Sequence, residues 1–157
     1  ALQQLTQRIQ AHHVIVLLHN GMGGIELAKT LYPYNPIIAG TTSYGALKAA
    51  SNSVSETGRG ESHFGWVQSS KETSNKTAIE KTLAKLLPPC HWQQDIQLAL
   101  WTKLAVNCVI NPLTATHNIK NGDLIATKFT HIIANLCQEI ANIMTALGYR
   151  TDSCILS

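Results

Sequence analysis

Charge is scarce in this sequence. Only 13% of its 157 residues are Asp, Glu, Lys or Arg, and the formal net charge at pH 7 is +3. There is no run of Lys or Arg, so the basic stripe of a nucleic-acid-binding domain is missing. Long apolar runs are missing too: none approaches the ~20 residues that a membrane-spanning helix needs. The start carries no charged-then-apolar leader pattern. The four cysteines (Cys90, Cys108, Cys137, Cys154) lie far apart, with no CxxC and no Cys/His ligand spacing. They read as free, mostly buried thiols in a reducing cytoplasm rather than as disulfides or metal ligands. The seven histidines show neither HxH nor HExxH spacing, so no metal is expected. Glu56, Glu61, Glu72 and Glu80 show no paired-carboxylate logic, and no Ser/His/Asp combination is placed together by spacing. No internal repeat or low-complexity stretch occurs.

What is present is apolar. A 45% hydrophobic content over this length is enough for one sizeable core or two small ones. The chain begins with Ala1 rather than Met and enters a helical pattern at once, with Leu2, Leu5 and Ile9 at helical spacing. It is therefore expected to be part of a longer product. Val14 to His19, VIVLLH, is a short continuous apolar run, the signature of a strand buried on both faces. The loop NGMGG, Asn20 to Gly24, follows, then a helix over Ile25 to Leu31 stopped by Pro33, then a second buried strand at Ile37 to Gly40. Strand, loop, helix, strand makes a βαβ unit. The next three stretches, TTSYGALKAA, SVSETG and ESHFGWVQ, are expected to be antiparallel strands closing the edge of that sheet. Asn75 to Leu87 is an amphipathic helix ended by Pro88 and Pro89, and a short strand is possible near His91 to Gln93.

Composition then turns wholly helical, which places a domain boundary near Gln94. Asp95 suits the N-cap of a helix running to about Asn111. Pro112 is expected to end or kink it. KNGDL, Lys120 to Leu124, is a turn. Thr127 to Leu147 is a long helix with Ile132, Ile133, Leu136, Ile140, Ile143, Met144 and Leu147 on its apolar side, and Gly148 suits the position after it. Trp66, Trp92 and Trp101 are expected to pack in cores rather than form a stacking platform.

One segment asks for chemistry. Trp101 to Ala115 reads WTKLAVNCVINPLTA, and the three of its side chains that are neither small nor apolar, Lys103, Asn107 and Asn111, recur every four residues. On a helix such positions drift by only ~40°, so they form a file one residue wide. An ordinary solvent-facing stripe is broader and richer in Glu, Lys, Arg or Gln. Two amides donate and accept in fixed directions and suit a ligand bearing hydroxyl, carbonyl and carboxylate oxygens. A lysine partly removed from water has a lowered pKa and becomes a better acid. Together they point to protonation of a carbonyl oxygen while the carbon is attacked. The glycine loop sits where open α/β sheets bind ligands, although it is not a GxGxxG fingerprint, since position 26 is Glu.

HNGMG at His19 to Gly23, GTT at Gly40 to Thr42, and WTKLAVNCVINPLTA followed by NGDL at Asn121 to Leu124 resemble the ketopantoate reductase (2-dehydropantoate 2-reductase) family. The resemblance implies an α/β fold: part of an NADP-binding Rossmann domain over residues 1–94, then part of an all-helical domain like the C-terminal domain of 6-phosphogluconate dehydrogenase over residues 95–157. It implies NADPH as cofactor, a small 2-oxo acid as substrate, and reduction of 2-dehydropantoate to pantoate in pantothenate and coenzyme A biosynthesis in the cytoplasm. Carried over by position, Lys103 is the general acid and a substrate contact. Asn107, Asn111 and Asn121 are substrate contacts, Asn20 touches both nicotinamide and substrate, and Ala46 is a cofactor contact. The family's GxGxxG segment, its basic residue for the 2′-phosphate and its later Ser and Glu have no counterpart in the sequence. The chain alone is therefore expected to bind NADPH poorly and not to turn over. Two alternatives remain open: a non-catalytic remnant or interaction module that keeps part of the fold, and a reductase for a different 2-oxo acid. Oligomeric state is left open.

Overall fold

Branched residues begin the first regular element where the sequence places it. In the computed structural model, which describes residues 2–69 and 75–149, β1 is Ile15–Leu17 and is joined through the glycine loop to α1, Gly24–Leu31. β2 follows at Ile37–Thr42 and pairs parallel to β1, with Ile15 opposite Ile37 and Leu17 opposite Ala39. This is the expected βαβ unit. The chain divides into two compact units, Ala1–Ile96 and Gln97–Ser157. Glu72 and Cys154 lie outside the described residues.

The first unit is a mixed α/β layer. Its four-stranded sheet has the order β1-β2-β5-β6, where β5 is Ser62–Gln68 and β6 is Cys90–Trp92. β5 runs antiparallel to β2, and β6 runs parallel to β5. The helix α2, Lys76–Leu86, connects β5 to β6. Ile37, Ile38, Ala39 and Phe64 are at most 1% exposed and form the middle of the core. Gly40 is needed there, because a Cβ on it would strike the Phe64 ring. Asn35 is buried but satisfied: its amide donates to the carbonyls of Gln10 and His13 at 2.7 and 2.9 Å.

Three expectations change. The Leu2, Leu5, Ile9 pattern forms only a 3₁₀ turn, Leu2–Leu5, with no buried residue; a short helix without a packed face is marginal in water. β1 is not buried on both faces, since Val16 is 38% exposed between the buried Ile15 and Leu17. Among the described residues β1 stands at the end of the strand order, which the apolar run alone does not reveal. Of the three antiparallel stretches, only β5 joins the sheet, and it lies inside rather than at the edge. The other two, β3 (Gly45–Ala50) and β4 (Ser53–Gly58), pair with each other as a separate hairpin, with Leu47 and Val54 60% and 70% exposed. An apolar alternation reports strand formation but not which neighbour the strand finds.

The second unit is helical. α3 is Ile96–His117 and α4 is Thr130–Ala146, joined by 3₁₀ turns at Asn121–Ile125 and Thr127–Phe129. Its core is Val109, Leu113, Leu124 and Phe129, against which Ile133, Leu136, Cys137 and Ile140 pack. Ile132, Ile143 and Leu147, expected on the apolar side, are 43–55% exposed, while Met144 is 1% exposed. Pro112 does not end α3; it lies inside the helix. The proline deprives the Cys108 carbonyl of its helix partner. Cys108 is exposed, so water can bond that carbonyl instead. Val109 and Leu113, on either side of the proline, are drawn into the same cluster. α3 stops at Asn118, which adopts φ 51°, with the Ile119 N–H closing on the Thr114 carbonyl at 3.1 Å. Gly148 ends α4 in the same way, with φ 85° and the Tyr149 N–H donating to the Met144 carbonyl at 2.9 Å.

Candidate functional site

α3 carries two files of side chains with opposite fates. Ala105, Val109 and Leu113 are 2–5% exposed and form the packed face. Lys103, Asn107 and Asn111 lie about 160° round the helix from them. Lys103 and Asn107 are half-buried and Asn111 is exposed. The file is thus brought together on one helix face, its members roughly 6 Å apart along the axis. Partial burial holds the Lys103 ammonium below its ordinary pKa of 10.5, because desolvation disfavours the charged form. That is the direction a proton donor working near neutral pH needs.

Asn121 opens the 3₁₀ turn after α3 and is exposed. The turn is built by its neighbours. The Lys120 N–H donates to Asp123 Oδ2 at 3.0 Å, the Asp123 N–H donates back to the Lys120 carbonyl at 3.0 Å, and Leu124 is buried in the helical core. The NGDL segment is therefore a pinned loop that presents Asn121.

Asn20 and Ala46 belong to the first unit. Asn20 is exposed on the glycine loop, and its carbonyl lies 3.2 Å from His19 Nδ1. Gly21 and Gly23 have φ of 89° and 88°, a left-handed conformation that disfavours any side chain, and Gly23 caps α1. A Cβ on Gly24 would meet the ring of the exposed His19, which would have to move aside. Ala46 is exposed on β3, the first strand of the hairpin.

Two features were not legible in advance. Glu61 bridges two histidines: Oε1 lies 3.2 Å from His63 Nε2 and Oε2 lies 3.0 Å from His91 Nε2, and the two rings stack at 5.1 Å. Gln93 Nε2 donates to His63 Nδ1 at 3.0 Å, so Nε2 carries the proton that points at the carboxylate. The hydrogen bond from His63 holds the Glu61 carboxyl below its ordinary value. Residues 61 and 63 share a strand face, but His91 arrives only through the pairing of β5 with β6. Glu61 also lines an open groove of about 770 Å³ with Tyr44, Glu56, Arg59, Pro88 and Pro89. The Tyr44 hydroxyl donates to the Pro88 carbonyl there. None of the candidate residues lines this groove. The second feature is the Thr41 hydroxyl, which is buried and has no hydrogen-bond partner among the described residues. Among the described residues no group of three or more His, Cys, Asp or Glu is arranged to hold a metal ion, and no helix is long and apolar enough to cross a membrane.

The family model described as "Ketopantoate reductase PanE/ApbA" matches residues 1–69, and the model described as "Ketopantoate reductase PanE/ApbA C terminal" matches residues 95–155. A 2-dehydropantoate 2-reductase of Vibrio cholerae is 40% identical over 146 residues, covering 93% of this chain and 49% of that protein. One from Yersinia pestis is 37% identical over 155 residues, covering 98% and 48%. Among solved structures, a probable 2-dehydropantoate 2-reductase of Bacillus subtilis superposes with TM-score 0.68 at 28% identity, over 92% of this chain and 50% of that one. D-mandelate dehydrogenase in complex with NADH and anilino(oxo)acetate superposes with TM-score 0.82 over 96% and 49%; at 20% identity it shows the shared fold. The chain spans about half the length of the curated relatives it matches. Two models of one family together run over most of the sequence, and they agree with relatives at 37–40% identity: the chain belongs to the ketopantoate reductase family.

Proposed function

We propose that this chain forms part of an NADPH-dependent 2-dehydropantoate 2-reductase, with residues 1–94 contributing to the cofactor-binding domain and residues 95–157 to the substrate domain. The observation that carries the reading is the file of Lys103, Asn107 and Asn111 on one face of α3, with Lys103 desolvated enough to lower its pKa. Relatives named 2-dehydropantoate 2-reductase at up to 40% identity support the substrate.

The first unit suits the nicotinamide end of a dinucleotide. Gly21 and Gly23 let backbone approach closely, and Asn20 is exposed between strand and helix. Asn20 and Ala46 would hold the cofactor. When bound, it supplies the reducing equivalent for the ketone carbon. Lys103 donates a proton to the ketone oxygen as that oxygen gains negative charge. Asn107, Asn111, Asn121 and Asn20 hold the substrate's oxygens and so fix which face of the ketone is presented. Reduction at the carbon and protonation at the oxygen together yield the 2-hydroxy acid.

The test is oxidation of NADPH, followed at 340 nm, on adding 2-dehydropantoate to an enzyme of the family's full length that carries this sequence. Turnover with 2-dehydropantoate well above that with other 2-oxo acids is expected. Equal or better turnover with another 2-oxo acid would replace the substrate assignment, and no turnover with any would favour the non-catalytic reading. The chain by itself is expected to bind NADPH poorly. Micromolar binding in a fluorescence titration of residues 1–157 would overturn that expectation.

A further inference from the structure

Two hydroxyls sit side by side at the end of β2 and are treated differently by the fold. Thr42 Oγ1 is well used: it accepts from Ser62 Oγ at 3.1 Å and from the Tyr44 N–H at 3.3 Å, and lies 3.4 Å from the Glu61 carbonyl. Thr41, whose side chain lies on the opposite face of the strand, is 8% exposed, and its Oγ1 is buried with no hydrogen-bond partner among the described residues. Burying a hydroxyl without a partner is unfavourable, and native folds leave few of them. A valine would fill the same space without that cost.

Its position gives the orphan meaning. β1 and β2 pair in parallel, and their last paired residues are Leu17 and Ala39. Thr41 lies two residues further on, at the carboxyl end of β2, while β1 runs at the same end into the loop that carries Asn20, Gly21 and Gly23. Ligands of open α/β sheets bind outside the carboxyl ends of parallel strands. On β5 the residue paired with Thr41 is His63, whose ring nitrogens are already taken by Glu61 and Gln93.

Resting on the proposed cofactor use, we infer that Thr41 is a further ligand-binding residue, its hydroxyl meeting a carboxamide at the nicotinamide end of the dinucleotide. A hydroxyl both donates and accepts, as a carboxamide does. The atom is closed off in the present structure, so binding is accompanied by local opening of the strand end.

The test compares Thr41→Val and Thr41→Ser in an enzyme of the family's full length carrying this sequence. Without ligand, Thr41→Val should melt at the same temperature as wild type or higher. NADPH should bind it ~5- to 10-fold more weakly, about the worth of one hydrogen bond. The same dinucleotide lacking its nicotinamide ring, 2′-phospho-ADP-ribose, should bind it as it binds wild type, and Thr41→Ser should bind NADPH as wild type does. A lowered melting temperature in Thr41→Val would mean the hydroxyl is satisfied within the fold and would overturn the inference. Unchanged NADPH affinity, or equal weakening with both probes, would overturn it as well. If wild type itself fails to bind NADPH, the proposed function falls and takes this assignment with it. If wild type binds and Thr41→Val matches it, only this assignment falls.

Discussion

The two files on α3 have the same spacing and the same helix, yet one is used for stability and the other is available for chemistry. Ala105, Val109 and Leu113 hold the second unit together, two of them in its core cluster. Lys103, Asn107 and Asn111 are half-buried or exposed and contribute nothing to that cluster. The difference shows that a largely apolar helix can still be two-sided. Its polar side is marked by how few residues it has, not by charge.

The largest expected effect breaks the packed side. Leu113→Ala removes a side chain that is 5% exposed from the core cluster and should cost ~2–5 kcal/mol, read from urea unfolding of the second unit. Lys103→Ala breaks the other side. In a full-length enzyme it should lower kcat by ~10²-fold or more while leaving the unfolding midpoint nearly unchanged; near-wild-type turnover would remove Lys103 from the mechanism. Asn111→Ala is a finer cut. An exposed amide should shift stability by less than ~0.5 kcal/mol, but KM for 2-dehydropantoate should rise by ~5- to 10-fold if the amide grips substrate. An unchanged KM would remove Asn111 from the proposed site.

The smallest effect concerns pH. Lys103 has a folded-state pKa below 10.5. Between that lowered value and 10.5 the unfolded chain binds more protons than the folded one, so stability should rise with pH across this window. Lys103→Met should flatten the rise. The proposed general-acid role runs the other way: it needs the protonated form, so turnover of a full-length enzyme should fall as pH climbs through the lowered pKa of Lys103.

Local signals were readable where a single stretch contains its own cause. The βαβ unit followed from VIVLLH, the glycine loop and PIIAG, and the Gly148 stop followed from glycine's tolerance of positive φ. The Lys103 file followed from a period of four in an otherwise apolar segment. What could not be read depends on distant partners. The hairpin of β3 and β4 and the inner place of β5 depend on which strand edges meet. The Glu61 bridge needs His91, thirty residues away, brought in by β6. Of the two outcomes expected at Pro112, an end to the helix is the one the fold excludes: the proline's lost hydrogen bond and clash are weighed there against Val109 and Leu113 entering one cluster.

Sequence alone determined the kind of elements, the family resemblance and the residues able to do acid and amide chemistry, because these rest on side-chain identity and short-range period. Tertiary structure decided which face of α3 is dry, that β5 lies inside the sheet, and that among the described residues the Thr41 hydroxyl has no partner while Thr42 has several. Each of these depends on burial and on contacts between residues far apart in the chain, and neither quantity is a property of any local stretch.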